Sequence, residues 1–366
     1  MPEYRGWMTE SPFGKNTRQN HRNMDAFTYA VAGRESKSIP RTGYLARIHN
    51  HLAGTITVTL GGGTAALDTL GPWNTLNRVR LQANSGTDVF NTSGYGAYLA
   101  NIGFGSGKNN QPDGSGLQAD LAISAEIYAA PVATGAWEWG FTVPVAVNDM
   151  SELGLIMLQN EVTSVSQALE YASVMYSLTG AQAPLLVTGA AVATLAATIT
   201  PMLETFMVPV DPADRPDISW IHQILEVTQP ITAVGDMTIN LVRENLYLGI
   251  LSYMIINNAR NGTNLDRLRL VLNSSDTPYD YYKKNLLQLQ RYRYGRDLPI
   301  GSYFIDLFHQ GIAGMGDERD ILNGKATSEL QLMPTIASGA TLGTNSRWNT
   351  ITRQLVKLAQ AATIGG

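Results

Sequence analysis

The sequence contains no cysteine, which excludes disulfide bonds, thiolate metal sites and a cysteine nucleophile. Charged residues are also scarce. They make up 15% of 366 residues, whereas an average soluble domain has roughly 25%. We therefore expect partners to cover much of the protein's outside. The net charge of −4 argues against a dedicated nucleic-acid-binding protein, and we predict no sequence-specific binding of nucleic acid.

The few charges are unevenly distributed along the chain. Residues 1–50 carry 8 basic and 4 acidic side chains, a net charge of +4. Residues 51–250 carry 5 basic and 17 acidic side chains, and residues 251–366 carry 13 basic and 9 acidic. This acidic middle between basic ends suggests ends that meet acidic parts of neighbouring copies.

Long apolar segments that could cross a membrane or direct secretion are not evident. The first 23 residues have no apolar core typical of a signal peptide. Residues 171–203 carry no charge, but glycine, proline, serine and threonine interrupt them. We therefore predict loop and strand there instead of a transmembrane helix.

Alternating side chains predict β-strands along most of the chain. In residues 136–143, Trp137 and Trp139 share a face with Phe141 and Val143, which is typical of a strand over a core. Comparable patterns predict strands at 44–52, 55–60, 76–81, 166–178, 196–210, 218–227, 237–246, 247–256, 265–272, 302–309, 328–334 and 348–358. A loop around 181–193 is expected to join two of them.

Changes in composition divide the chain into three predicted parts. Residues 1–37 are polar, and we expect an N-terminal arm that is ordered only by contact. The Pro/Asp-rich stretch 211–216 marks the best domain boundary, which gives two β-rich halves at 38–213 and 214–366. Helix is scarce and βαβ alternation is absent from the pattern, so the predicted class is all-β, with two sandwiches.

One helix is predicted at about 278–294. Asp276 or Thr277 would cap it, Pro278 would lie in its first turn, and Gly295 would end it. Its basic residues are Lys283, Lys284, Arg291 and Arg293, with tyrosines between them. These side chains could bind nucleic acid by phosphate contact and base stacking. We favour a subunit interface instead, in which the tyrosines pack on the sandwich and the basic side chains face an acidic neighbouring subunit.

Catalytic and metal-binding patterns are weak. His49 and His51 share one strand face, but a zinc site needs a third ligand, and Arg47 on the same face would repel a cation. We therefore predict no catalytic residue, metal or cofactor. A carbohydrate-binding or carbohydrate-active β-sandwich stays open as an alternative, with Trp137 and Trp139 lining a cleft beside acidic pairs, although their strand pattern favours a core position.

The order of several short motifs resembles a known family. Leu70-Gly-Pro-Trp-Asn-Thr-Leu leads into a strand, Thr92-Ser-Gly precedes a short helix, and an aromatic strand ends in Val143-Pro. A Pro-x-Gly-x-Tyr strand follows the predicted helix. Over residues 40–335 this order resembles the double jelly-roll major capsid protein of tectivirus-type tailless icosahedral bacteriophages. The matching residues are Gly71, Pro72, Asn74, Thr92, Ser93, Gly94, Val143, Pro144, Pro299, Gly301 and Tyr303.

This resemblance implies a structural protein, not an enzyme. It implies two consecutive eight-stranded jelly rolls, a homotrimer that forms a pseudo-hexagonal capsomer, and an icosahedral shell with penton and minor capsid proteins. The protein would assemble in the host cytoplasm and reside in the virion. The arm would lie on the inner side, over an internal membrane, with outward loops at 105–118 and 179–194. The basic residues of the N-terminal arm would face anionic lipid headgroups. They are Arg5, Lys15, Arg18 and Arg22.

Overall fold

The architecture consists mainly of β-strands. The structure is a computed structural model that describes residues 12–84, 86–104, 132–147, 152–159, 163–180, 183–274, 276–294, 297–308, 310–312, 315–316 and 321–357. Its helices are α1 (Pro12–Asn16), α2 (Gly94–Phe104) and α3 (Lys283–Tyr294).

The strands follow one another along the whole described chain. The first thirteen are β1 (Gln19–Asn23), β2 (Phe27–Thr28), β3 (Arg34–Ser38), β4 (Tyr44–Leu60), β5 (Ala65–Leu67), β6 (Leu76–Ala83), β7 (Thr87–Thr92), β8 (Val132–Pro144), β9 (Ile156–Met157), β10 (Val165–Tyr171), β11 (Tyr176–Ser177), β12 (Leu185–Val187) and β13 (Ala191–Phe206). The others are β14 (Trp220–Pro230), β15 (Gly235–Asp236), β16 (Ile239–Asn240), β17 (Leu246–Ile256), β18 (Ala259–Arg260), β19 (Leu265–Leu272), β20 (Asp276–Tyr282), β21 (Ser302–Asp306), β22 (Gln310–Ile312), β23 (Met315–Gly316), β24 (Leu322–Asn323), β25 (Leu330–Ile336) and β26 (Arg347–Lys357).

Three large sheets organise these strands. The first outer sheet has the order β1-β13-β4-β8, with β2 and β9 at its margins. The shared sheet has the order β18-β17-β26-β14-β7-β6-β10-β3, with β21 and β24 attached to β17. The second outer sheet has the order β15-β25-β19-β20, with β16 paired to β25. Two small sheets, β11-β12-β5 and β22-β23, complete the described strands.

The first core lies between the first outer sheet and the N-terminal strands of the shared sheet. Alternation on β4 and β8 buries Leu52, Ile56, Trp137 and Trp139, all of them fully inaccessible to solvent. Removing such large apolar side chains from water is the main stabilising contribution of a sandwich of this kind. The prediction that the two tryptophans are core residues is confirmed.

The second core lies between the shared sheet and the second outer sheet. Ile250 and Met254 of β17 pack in it with Leu268 and Leu270 of β19. The alternate β17 residues, including Leu251, belong to the first core, in which α2 packs against β17. Both faces of β17 are therefore buried, which explains its continuous apolar sequence.

Helix α2 packs in the first core, and its N-terminus explains the Thr-Ser-Gly motif. The Ser93 hydroxyl accepts a hydrogen bond from the Gly96 amide at 2.9 Å, as an N-cap does. A side chain at Gly94 would place its Cβ 2.0 Å from the backbone oxygen of Trp73, so this close approach requires glycine. The helix that the resemblance implied after Thr92-Ser-Gly is confirmed.

Some predicted elements were wrong in detail. The helix begins at Lys283, because residues 276–282 form β20 and pair antiparallel with β19. The range 237–246 contains only the two-residue strand β16 and the first residue of β17. The loop around 181–193 contains β12 and the start of β13, so the outward loop predicted at 179–194 is partly strand. Among the described residues, none of the helices has the length and hydrophobicity to cross a membrane.

The described part of the predicted N-terminal arm is integrated into the sheets. Strand β1 pairs with β13 and β3 pairs with β10. Phe27 is fully buried in the first core, so the segment contributes to that core as well as to the sheets. The domain boundary near residue 214 stays a prediction, because β7 and β14 lie side by side in the shared sheet.

Candidate assembly surfaces

A large part of the outward side of the first outer sheet carries no charged side chain. Strands β4, β8 and β13 alternate, so every second side chain points away from the core. Over most of its length this outward side carries threonine, alanine and valine. We name it the threonine face, and its exposed or half-buried residues are Thr55, Thr57, Thr59, Thr134, Ala136, Val192, Thr194, Ala196, Thr198 and Thr200.

The register of the strands brings these residues side by side. Thr57 lies opposite Thr194 on one neighbouring strand and opposite Thr134 on the other. The hydroxyl oxygens of Thr57 and Thr134 are 3.3 Å apart. Thr55 lies between Ala196 and Ala136. The face is therefore a continuous surface of small uncharged side chains across three strands.

A charged cluster bounds the threonine face at one end. Arg47 Nη1 donates to Glu204 Oε1 at 2.7 Å. His49 Nε2 lies 3.1 Å from Glu204 Oε2, and because a carboxylate only accepts, the imidazole donates. Next to them, His51 Nε2 lies 2.8 Å from Glu138 Oε1. The two histidines of β4 thus lie beside carboxylates of the two flanking strands, Glu204 of β13 and Glu138 of β8.

The charged cluster sets the ionisation of Glu204. Burial raises the pKa of Glu204, but the hydrogen bond from His49 and the charge of Arg47 outweigh burial and lower the pKa to about 2. Sequence reasoning missed Glu204, since only the register of β13 against β4 places it beside Arg47.

We expect this cluster to weaken as the solution becomes acidic. The folded pKa of Glu204 lies below its usual value of 4.5, so its stabilisation is complete above that pH and is lost as pH falls toward 2. The contribution is about 1–2 kcal/mol, because solvent at the half-exposed His49 screens the interaction. Urea denaturation at several pH values should show this slope in the wild type. Glu204→Gln should flatten it, and an unchanged slope would contradict the assignment.

The outward side of the second outer sheet is different, because ion pairs cross it. Arg269 Nη2 lies 2.6 Å from Asp236 Oδ2. Arg267 Nε donates to Asp280 Oδ1 at 2.5 Å, and this hydrogen bond lowers the pKa of Asp280. The first outer sheet therefore has an uncharged area, the threonine face, next to a charged cluster, whereas ion pairs cross the second outer sheet.

Helix α3 carries the basic residues predicted at a subunit interface. Lys283 Nζ donates to the Thr263 carbonyl at 2.9 Å, and Arg291 Nε donates to Asp297 Oδ1 at 2.9 Å. Lys284 is exposed, and the Arg293 side chain lies outside the described residues. The charges of Lys283 and Arg291 are thus engaged within the chain. Their interface role stays a prediction.

The packing of α3 differs from the predicted arrangement of its tyrosines. Among the α3 side chains that the structure describes, Leu286 and Gln290 are buried, whereas Tyr292 is 87% exposed. Tyr281 packs at the second core from β20, not from the helix. A groove of about 670 Å³ lies between α3 and residues 297–303. The prediction that Tyr292 packs on the sandwich was wrong, because Leu286 and Gln290 occupy that side.

The predicted inner-face residues are described only in part. Arg18 and Arg22 are exposed, and Arg22 lines a polar pocket of about 320 Å³ with Asp25 and Lys37. Arg5 and the side chain of Lys15 lie outside the described residues, as does the loop at 105–118. A membrane-facing role of these four residues therefore stays a prediction. Within the described ranges, no three metal-ligating His, Asp or Glu side chains come together.

Comparison with known proteins identifies the fold. Neither a protein-family model nor a curated protein matches the chain. Among solved structures, the major capsid protein of Sulfolobus turreted icosahedral virus matches with a TM-score of 0.68 at 11% identity, covering 94% of this chain and 98% of that chain. The capsid of the virus PBCV-1 matches with a TM-score of 0.59 at 13% identity, covering 93% and 94%.

The fold match extends to a bacteriophage. The major capsid protein P2 of bacteriophage PM2 matches with a TM-score of 0.53 at 11% identity, covering 93% of this chain and 98% of that chain. These neighbours are double jelly-roll proteins, which confirms the predicted fold class. This chain therefore has the double jelly-roll fold of viral major capsid proteins.

Proposed function

We propose that this chain is the major capsid protein of an icosahedral virus. The observation that carries the proposal is the extent of the fold match, which covers 94% of this chain and 98% of the Sulfolobus virus capsid protein. Nearly all of the chain is thus accounted for by two jelly rolls, with little left over for a separate catalytic domain. The role is structural and not enzymatic, and the protein resides in the virion.

The proposed assembly unit is a homotrimer. Three double jelly rolls form a pseudo-hexagonal capsomer, and capsomers tile the shell together with penton and minor capsid proteins. The low charge content of 15% supports extensive contact between subunits, because the cores of stable interfaces are depleted in charge. Assembly in the host cytoplasm and an internal membrane beneath the shell belong to the same proposal.

The virus group is a finer proposal. The sequence resemblance favours a tectivirus-type bacteriophage. The structural neighbours come from an archaeal virus, the virus PBCV-1 and bacteriophage PM2, so the fold is compatible with several kinds of host. The bacteriophage assignment therefore rests on the ordered motifs alone.

The carbohydrate alternative loses its main support. A sugar platform needs aromatic rings that are open to solvent, whereas Trp137 and Trp139 are fully buried. Trp137 Nε1 also donates a hydrogen bond to Thr75 Oγ1 at 3.1 Å inside the core.

The test of the proposed function is the mass of the purified protein in solution. We expect light scattering after gel filtration to give about 119 kDa, three times the chain mass of 39.7 kDa, or a much larger assembly. Electron microscopy of that species should show pseudo-hexagonal outlines. A folded monomer of 39.7 kDa at every salt concentration and protein concentration tested would overturn the proposal.

A further inference from the structure

We propose that the threonine face binds a second copy of this chain and is buried between neighbouring subunits of the assembly. The proposal rests on the proposed function and adds to it the surface through which one subunit meets the next. A cyclic trimer is a head-to-tail assembly, so the threonine face would meet a different surface of the adjacent copy.

The chemistry of the face limits what can bind there. From Val192 to Ala196 on β13 the outward side chains are valine, threonine and alanine, and the segments 55–59 of β4 and 134–136 of β8 beside them match. At the other end of the face, Thr200 lies opposite His51 of the charged cluster. An anionic partner such as nucleic acid or a lipid headgroup needs cations, and a basic partner needs carboxylates. The face offers neither, so its partner is a surface of low charge.

The shape of the face also suits another protein surface. Small side chains on an extended sheet allow a second backbone to approach closely, and the hydroxyls can pair with polar groups of the partner. The face runs along nine residues of β13, five of β4 and three of β8, which at about 3.3 Å per residue and 4.8 Å per strand is roughly 270 Å². That is about a third of the 800 Å² that one partner contributes to a standard interface, so the contact extends beyond the face.

The identity of the occupant follows from abundance and from the contrast between the threonine face and the second outer sheet. In a shell, the surface that each chain meets most often belongs to another copy of the same chain. The outward side of the second outer sheet keeps ion pairs such as Arg269 with Asp236, as expected for a surface in water. The threonine face lacks such pairs, and uncharged strand surfaces left in water promote unwanted association.

The absence of native cysteine allows a direct test. Single variants Thr55→Cys and Thr198→Cys place one thiol each on the threonine face. Thr277→Cys, at an exposed threonine of β20, is the matched control. Maleimide labelling is measured in the assembled species and again after denaturation, which gives the fully accessible rate for each variant.

We expect assembly to slow labelling of Thr55→Cys and Thr198→Cys by about tenfold or more, because interface cores exclude water. Thr277→Cys should stay reactive. Assembly of all three variants with open thiols on the threonine face would overturn this proposal and leave the capsid function intact. Protection of the same thiols in a folded monomer would also overturn it, since the chain itself would then cover the face.

A charge inserted into the face gives a second readout. Thr55→Lys would bury a charge without a partner, so we expect the assembled fraction to fall at least tenfold while the thermal unfolding of the chain stays cooperative. Thr277→Lys is the control and should assemble like the wild type. Normal assembly of Thr55→Lys would contradict the proposal. A wild-type chain that never assembles would instead contradict the proposed function.

Discussion

Trp137→Ala is expected to lower the free energy of unfolding by about 3–5 kcal/mol, the range found when a fully buried tryptophan is truncated. The Trp137 side chain is inaccessible to solvent, and its indole donates a hydrogen bond to Thr75 Oγ1. The substitution would therefore leave both a cavity and a buried hydroxyl without its donor. Guanidinium denaturation at one fixed protein concentration measures the effect and keeps the contribution of assembly constant.

Two further variants make the result specific. Trp137→Phe retains much of the apolar volume but loses the N–H group, so we expect a smaller loss, about 1–2 kcal/mol. Thr277→Ala, at an exposed position of β20, should change stability by less than about 0.5 kcal/mol. If Trp137→Ala changed stability as little as Thr277→Ala, the side chain would not be in the core, and a binding role would have to be reconsidered.

Glu226→Ala should destabilise the protein by about 2–4 kcal/mol, because one carboxylate on β14 accepts hydrogen bonds from two groups at once. The Ser93 amide donates to Glu226 Oε2 at 2.6 Å, and the Tyr253 hydroxyl donates to Oε1 at 2.6 Å. Tyr253 is 3% exposed. Losing the acceptor would leave the buried Tyr253 hydroxyl with only its 3.4 Å contact to Ser93 Oγ. It would also leave the N-terminus of α2 without an anion to offset its dipole.

A double-mutant cycle separates these contacts. Glu226→Ala, Tyr253→Phe and the double variant are compared by denaturation, and we expect a coupling energy of about 1 kcal/mol or more for the pair. Asp266→Ala removes an exposed carboxylate of β19 and should be nearly neutral. Strictly additive effects of the two substitutions would show that Glu226 and Tyr253 do not act on each other.

The sequence predicted the strands whose two faces differ. Strand β8 alternates between large aromatic and small polar residues, so its pattern alone indicated both the strand and the buried side. Strands β1 and β3 were missed because their sequences, QNHRN and RESKS, have no apolar face. Backbone hydrogen bonds to β13 and β10 hold them in place, and a pattern of side chains does not reveal such bonds.

The false helix start has a similar cause. Asp276, Thr277 and Pro278 are typical of a helix N-terminus, and that local signal outweighed the period of two in the residues that follow. Tyr279 and Tyr281 are half-buried at the second core, whereas Asp280 and Tyr282 point outward. Pairing with β19 decides the conformation, because it buries the two tyrosines on one side of a sheet.

The candidate surfaces depend on long-range register, which a single sequence does not contain. Glu226 and Ser93 are 133 residues apart, and Glu204 and Arg47 are 157 apart. The threonine face arises only when β13 lies beside β4 and β4 beside β8. The sequence nevertheless indicates part of this face, because residues 171–203 carry no charge and their pattern predicts loop and strand.

The shared sheet has a mechanical consequence. Strands β7 and β14 run parallel, with Phe90 opposite Ile224, so one backbone hydrogen-bond network continues from the N-terminal strands into the C-terminal ones. Bending one half of the chain against the other would require this ladder to break. In the proposed shell, each subunit would therefore behave as a rigid unit. The interfaces between neighbouring subunits would then accommodate the curvature of the shell and the elastic strain caused by internal pressure.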